Sequence, residues 1–160
     1  MNRIFLLSTI ILLGLQQLAP AALEVSTDKK AISFGLMYLG DDKELAQYGG
    51  YHNEITCSST NGNTWYLKIS LLKPLSSVQD SIPLEYFKWQ LAASDGKSTP
   101  ITQYQYREFS LFPELVYISS PEENSGTPVH LQFKYRLEIP EAQTAGSYQT
   151  VIRFTITEVL

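Results

Sequence analysis

Two histidines, one cysteine and two pairs of adjacent acids are the side chains of this 160-residue chain on which chemistry would draw first. A serine hydrolase needs a nucleophile beside a His base. Neither His52 nor His130 stands next to a recognisable nucleophile motif such as G-x-S-x-G. His130 falls on the wet face of a predicted strand and reads as a surface imidazole, and His52, after Gly49-Gly50-Tyr51, reads as a turn residue. Asp41-Asp42 and Glu122-Glu123 lie in segments rich in Gly or Pro and read as solvated charge. The two carboxylates of a glycosidase are neighbours in space, and nothing in the sequence singles out such a pair. No calcium loop of the D-x-D-x-D-G kind, phosphate loop or dinucleotide fingerprint is present. Cys57, alone, excludes a disulfide framework, a C-x-x-C redox pair and a cysteine-rich zinc site, and its neighbours make it a small core hydrophobe. A net charge of −4 argues against a nucleic-acid partner. The expectation is a protein that is not an enzyme and has no cofactor and no metal.

Aromatic residues are the one surplus, with ten Tyr, seven Phe and two Trp. Tyr66 faces away from the Trp65/Leu67 row, and Tyr104-Gln105-Tyr106 places two tyrosines on one face of a predicted strand. An exposed tyrosine offers an apolar body and a polar tip, suited to stacking on a sugar or packing in a subunit contact. Tyr66, Trp89, Tyr104 and Tyr106 therefore form the predicted interaction surface.

The elements that would hold these residues are strands. In Val129–Ile139 every odd position is apolar or aromatic and every even position polar or charged, bracketed by Pro128 and Pro140. Alternate side chains of a strand point to opposite faces, so this run has one buried and one wet face. The same period recurs in Asn53–Cys57, Trp65–Leu71 and Tyr148–Thr157, with less regular strands expected at Ala31–Phe34, Tyr86–Ala92, Gln103–Phe109 and Leu115–Ser119. Asn61-Gly62, which readily takes positive φ, predicts a hairpin between two of them. About seven to eight short strands without an amphipathic helix predict an antiparallel β-sandwich.

The first residues differ from the rest. Met1-Asn2-Arg3, an apolar run from Ile4 to Leu15, and Ala19-Pro20-Ala21 have the order of a secretory signal cleaved after Ala21. The run is shorter than the ~20 apolar residues a membrane span requires. The expected domains are thus a signal peptide at 1–21 and one sandwich at 22–160, with no membrane span after cleavage. The mature 139 residues carry 11 basic against 16 acidic side chains, and such a chain is long enough to fold on its own core.

Ile32-Ser33-Phe34-Gly35 near the start of the domain, Asn53-Glu54-Ile55-Thr56-Cys57 running through Asn61-Gly62 to Trp65-Tyr66-Leu67, and the closing Ala145-Gly146-Ser147-Tyr148 turn before a Thr/Ile-rich strand together form a layout. It resembles bacterial spore coat protein U domains and the related subunits of archaic chaperone–usher pili, and is similar in part to the cell-surface WxL domains. The sequence departs from these in three ways. Cys57 has no partner, Phe154 stands where WxL domains have a second Trp, and the arm Ala22–Lys30 carries only Leu23 and Val25 for a neighbour's groove. The resemblance implies an immunoglobulin-like sandwich exported to the periplasm, cell surface or exterior. It would serve as a structural or adhesive subunit or accessory of a surface structure, with other subunits or itself as partners, and with a periplasmic chaperone. The alternative is a secreted module that binds a carbohydrate or envelope component through the tyrosines.

Overall fold

The computed structural model describes residues 22–46, 51–98, 100–101 and 104–160. The predicted signal peptide at 1–21 lies outside them, as do Gly49, Gly50 and Gln103. The strands are β1 (Leu23–Thr27), β2 (Asp42–Leu45), β3 (Asn53–Ser59), β4 (Tyr66–Leu71), β5 (Leu75–Ser76) and β6 (Ser81–Ile82). They continue with β7 (Phe87–Ser94), β8 (Arg107–Glu108), β9 (Glu114–Ile118), β10 (Val129–Glu138) and β11 (Ile152–Thr157). Two short 3-10 turns, Leu84–Tyr86 and Pro121–Ser125, are the helical elements among the described residues.

Every ladder is antiparallel. The larger sheet has six strands in the order β1-β3-β10-β7-β8, with β2 on β10 beyond the end of β3. The smaller sheet is β11-β4-β9, and β5-β6 form a separate pair. The expected antiparallel β-sandwich is the fold found. Its centre is β10, whose inward side chains Val129, Leu131, Phe133, Tyr135 and Leu137 are all buried while the intervening residues are half-exposed. Burying each such side chain stabilises the fold by about 1.5–3 kcal/mol. Phe133 of the larger sheet meets Phe154 of the smaller at a ring distance of 5.1 Å, and Trp65, Trp89 and Tyr117 fill the rest of the interior. Cys57 is buried, and that burial pushes its thiol up to about 12.

The structure corrects several local expectations. Gly62 does take positive φ (77°), but β3 and β4 belong to different sheets, so Asn61-Gly62 turns a crossover between layers and not a hairpin. Ala31–Phe34 forms no strand, and Gln103–Phe109 reduces to Arg107–Glu108. The arm that follows the predicted leader is β1, paired along its whole length with β3 of its own chain.

The acids are not all loop charge. Asp42 lies on β2 and receives the Arg136 guanidinium, through Nε at 2.8 Å and through Nη2, which holds its carboxyl below the usual range. Glu123 is 2% exposed. It accepts hydrogen bonds from the Tyr117 hydroxyl (2.9 Å), the Ser120 N–H (2.7 Å) and the Lys97 N–H. The bond from Ser120 is the carboxylate half of a capping box, which ends the β9 connection and starts the Pro121–Ser125 turn.

Candidate functional site

The four predicted surface residues do not converge. Trp89 is 0% exposed, on β7 with its ring against Phe133, because its position in the alternation puts it inside. Trp89 is therefore a core residue and not part of a stacking platform. Tyr66 is half-buried on β4 of the smaller sheet. Tyr104 is 68% exposed and sits in a turn with φ 65°, so it shares no strand face with Tyr106. Tyr106 lies under the Arg136 guanidinium (5.9 Å) and donates its hydroxyl to Glu44 at 2.6 Å, which uses its polar tip within the chain. Among the other residues weighed from sequence, His130 Nδ1 meets Glu54 (3.1 Å) and Thr56 (3.1 Å) on the outer face of the larger sheet. Burial and the nearby Lys29 ammonium hold the pKa of His52 below its usual value. No three His, Cys, Asp or Glu side chains among the described residues come together as a metal site.

A different feature stands out, at the edge of the smaller sheet. β11 pairs with β4 on one side. The Leu72 N–H donates to the Val151 carbonyl at 3.0 Å, which fixes the phase of that ladder. In an antiparallel strand alternate residues aim both backbone groups to opposite sides. Residues 153, 155 and 157 therefore serve β4, and Ile152, Phe154 and Ile156 aim their N–H and C=O groups outward. No strand or loop among the described residues makes backbone hydrogen bonds to that outer row, although β1 lies alongside β11 without pairing to it.

Beside this row the two sheets stand open over a cavity of about 1020 Å³. Its floor is core: Leu137, Phe87, Ile82, Ile152 and Phe154 all contribute. Its far wall is the irregular segment 29–39, in which Ile32, Phe34 and Met37 pack inward, Phe34 edge-on to Phe87 at 5.9 Å. That wall is tied down at few points. The Lys29 ammonium donates to the His52 carbonyl, the Lys43 ammonium to the Phe34 carbonyl, and the Gly40 N–H to the Ile139 carbonyl at 2.9 Å. On the rim Leu36, Tyr38 and Leu39 are 79%, 68% and 58% exposed. The alternation of Ile32-Ser33-Phe34 was the sequence signal for this region. It marks side chains that reach the core, but the segment makes no ladder with any described strand.

An unpaired row of backbone groups beside an apolar cavity is what an added β-strand requires, since main-chain bonds give affinity and alternate pockets give specificity. No family model matches the chain, and no curated protein matches it in sequence.

Proposed function

We propose that the chain is an exported, non-enzymatic subunit or accessory of a bacterial surface structure, joined to other subunits by accepting an extended segment along β11. The observation that supports this is the outward row of Ile152, Phe154 and Ile156, the first two of which line an open apolar groove. A bare strand edge is a template for pairing and is normally blunted by charge, proline or a covering loop; here the inward side chains of the edge residues are apolar and the groove lies beside them. The resemblance to pilus and coat sandwiches points the same way, as does the predicted leader, which would deliver the chain to a compartment where such assembly occurs. β1 is committed to its own β3, so the accepted segment comes from another subunit.

Sedimentation velocity over a range of concentrations, with fractionation of the producing cells, tests this reading. The expected result is association, with itself or with an envelope component, that is lost when the groove is filled. A chain that stays monomeric at every concentration and never leaves the soluble fraction overturns it.

A further inference from the structure

We propose that the groove selects its partner by charge as well as shape: it takes an extended segment with apolar residues at alternate positions and an acidic residue at the end that meets Lys29 and Lys30. This rests on the strand-accepting reading above and adds the chemistry of the partner. All sixteen acidic residues of the chain lie in its described part, yet none lines the groove. The charged side chains that do line it are Lys29 and Lys30. In a chain of net charge −4 this is a local reversal of sign.

The two lysines mark one end. The Lys29 ammonium donates to the His52 carbonyl, and the His52 N–H donates to the Phe133 carbonyl at 2.7 Å. That places the Lys29 ammonium close to the level where Phe133 packs on Phe154, with Lys30 next in the chain. Lys29 uses one of its three donors there, and Lys30 is exposed with no ion pair among the described residues. The nearest acid in sequence, Asp28, turns its carboxylate to the Glu54 N–H at 2.8 Å, on the β3 side. Elsewhere on the rim, beside Leu36, Tyr38 and Leu39, charge of both signs is already engaged within the chain: the Asp41 carboxylate accepts from the Tyr38 N–H at 2.8 Å and the Lys43 ammonium donates to the Phe34 carbonyl.

An amphiphile with an anionic head would suit the lysines and the apolar floor but would leave the outward N–H and C=O row of β11 without partners. A polypeptide strand satisfies all three. The part of this edge that lines the groove runs from Thr150 to Phe154, five residues and roughly 14 Å at strand rise, which sets the length of the paired segment.

The test uses capped, fluorescently labelled heptapeptides that alternate Val and Thr, with a glutamate at the first or at the last position, and their lysine counterparts. Binding to the full-length protein is followed by anisotropy. One of the glutamate peptides is expected to bind roughly fivefold or more tightly than its lysine counterpart at low salt, with the difference shrinking as salt rises. Lys30→Glu, an exposed change, should reverse the preference. Peptides that bind with no regard to terminal charge overturn the charge selection and leave the accepting edge standing. If no peptide binds, both fall.

Discussion

Glu123 shows how one buried carboxylate organises three segments. Tyr117 from β9, the Lys97 N–H from the loop after β7 and the Ser120 N–H all converge on it. Such bonds to a charged acceptor are worth about 1.5–3 kcal/mol each. The arrangement leaves no room at Gly96, where an added Cβ would stand 2.0 Å from the Tyr117 hydroxyl oxygen. Gly96→Ala should therefore displace that hydroxyl and cost about 3 kcal/mol, read as a melting temperature lower by roughly 5–10 °C. Val151→Ala, an exposed change outside the node, should leave the melting temperature within about 2 °C of wild type. None of this node was visible in the sequence, where Glu122-Glu123 looks like loop charge. Burial of the second acid depends on Tyr117 and Gly96 arriving from elsewhere in the fold.

At the scale of elements, legibility followed how strictly the alternation was kept and whether a pairing partner was near. β10 was readable end to end because its inner positions are all apolar and its outer ones all polar. Tyr86–Ala92 and Leu115–Ser119 were readable to within two residues as β7 and β9. Ala31–Phe34 carries the same local pattern but lines the cavity and pairs with no strand among the described residues, so propensity did not become structure. The open edge of β11 was not legible at all, since an edge is a property of topology and not of the strand's own residues. Because segment 29–39 packs on the core without a ladder, its side chains should count for less than those of β10. Phe34→Ala should cost about 1–2 kcal/mol by urea unfolding, against about 3–5 kcal/mol for the fully buried Phe133→Ala. Equal costs would mean that the segment is as integral as a strand.

Across the described residues the core side chains are at most 9% exposed, and the acid–base behaviour of the molecule follows from that burial. Burial raises the hydroxyls of Tyr135 and Tyr117, aided in Tyr117 by the Glu123 bond, and it raises the Cys57 thiol to about 12. Each of these groups is neutral in both states below its unfolded value, so it leaves stability unchanged there. Above that value the unfolded chain loses protons that the native chain keeps, and stability falls. The decline should begin near pH 9, where the unfolded thiol titrates, and steepen above pH 10 as the tyrosines join, at up to about 1.4 kcal/mol per pH unit for each group held neutral. Urea midpoints measured from pH 7 to 11 check this, and a flat profile would mean that these groups are reached by water.

In a strand-accepting subunit the outer row of β11 is open in the free chain and filled in the assembled one. Residue-resolved hydrogen exchange reads it directly. In the free protein the amides of Ile152, Phe154 and Ile156 should exchange at least about 100-fold faster than those of Arg153, Thr155 and Thr157, which bond to β4. On association, or with a bound strand peptide, the three fast amides should slow to match their neighbours. Six amides equally protected in the free chain would mean that the edge is already covered, and three that stay fast in the assembled one would mean that no strand is added there.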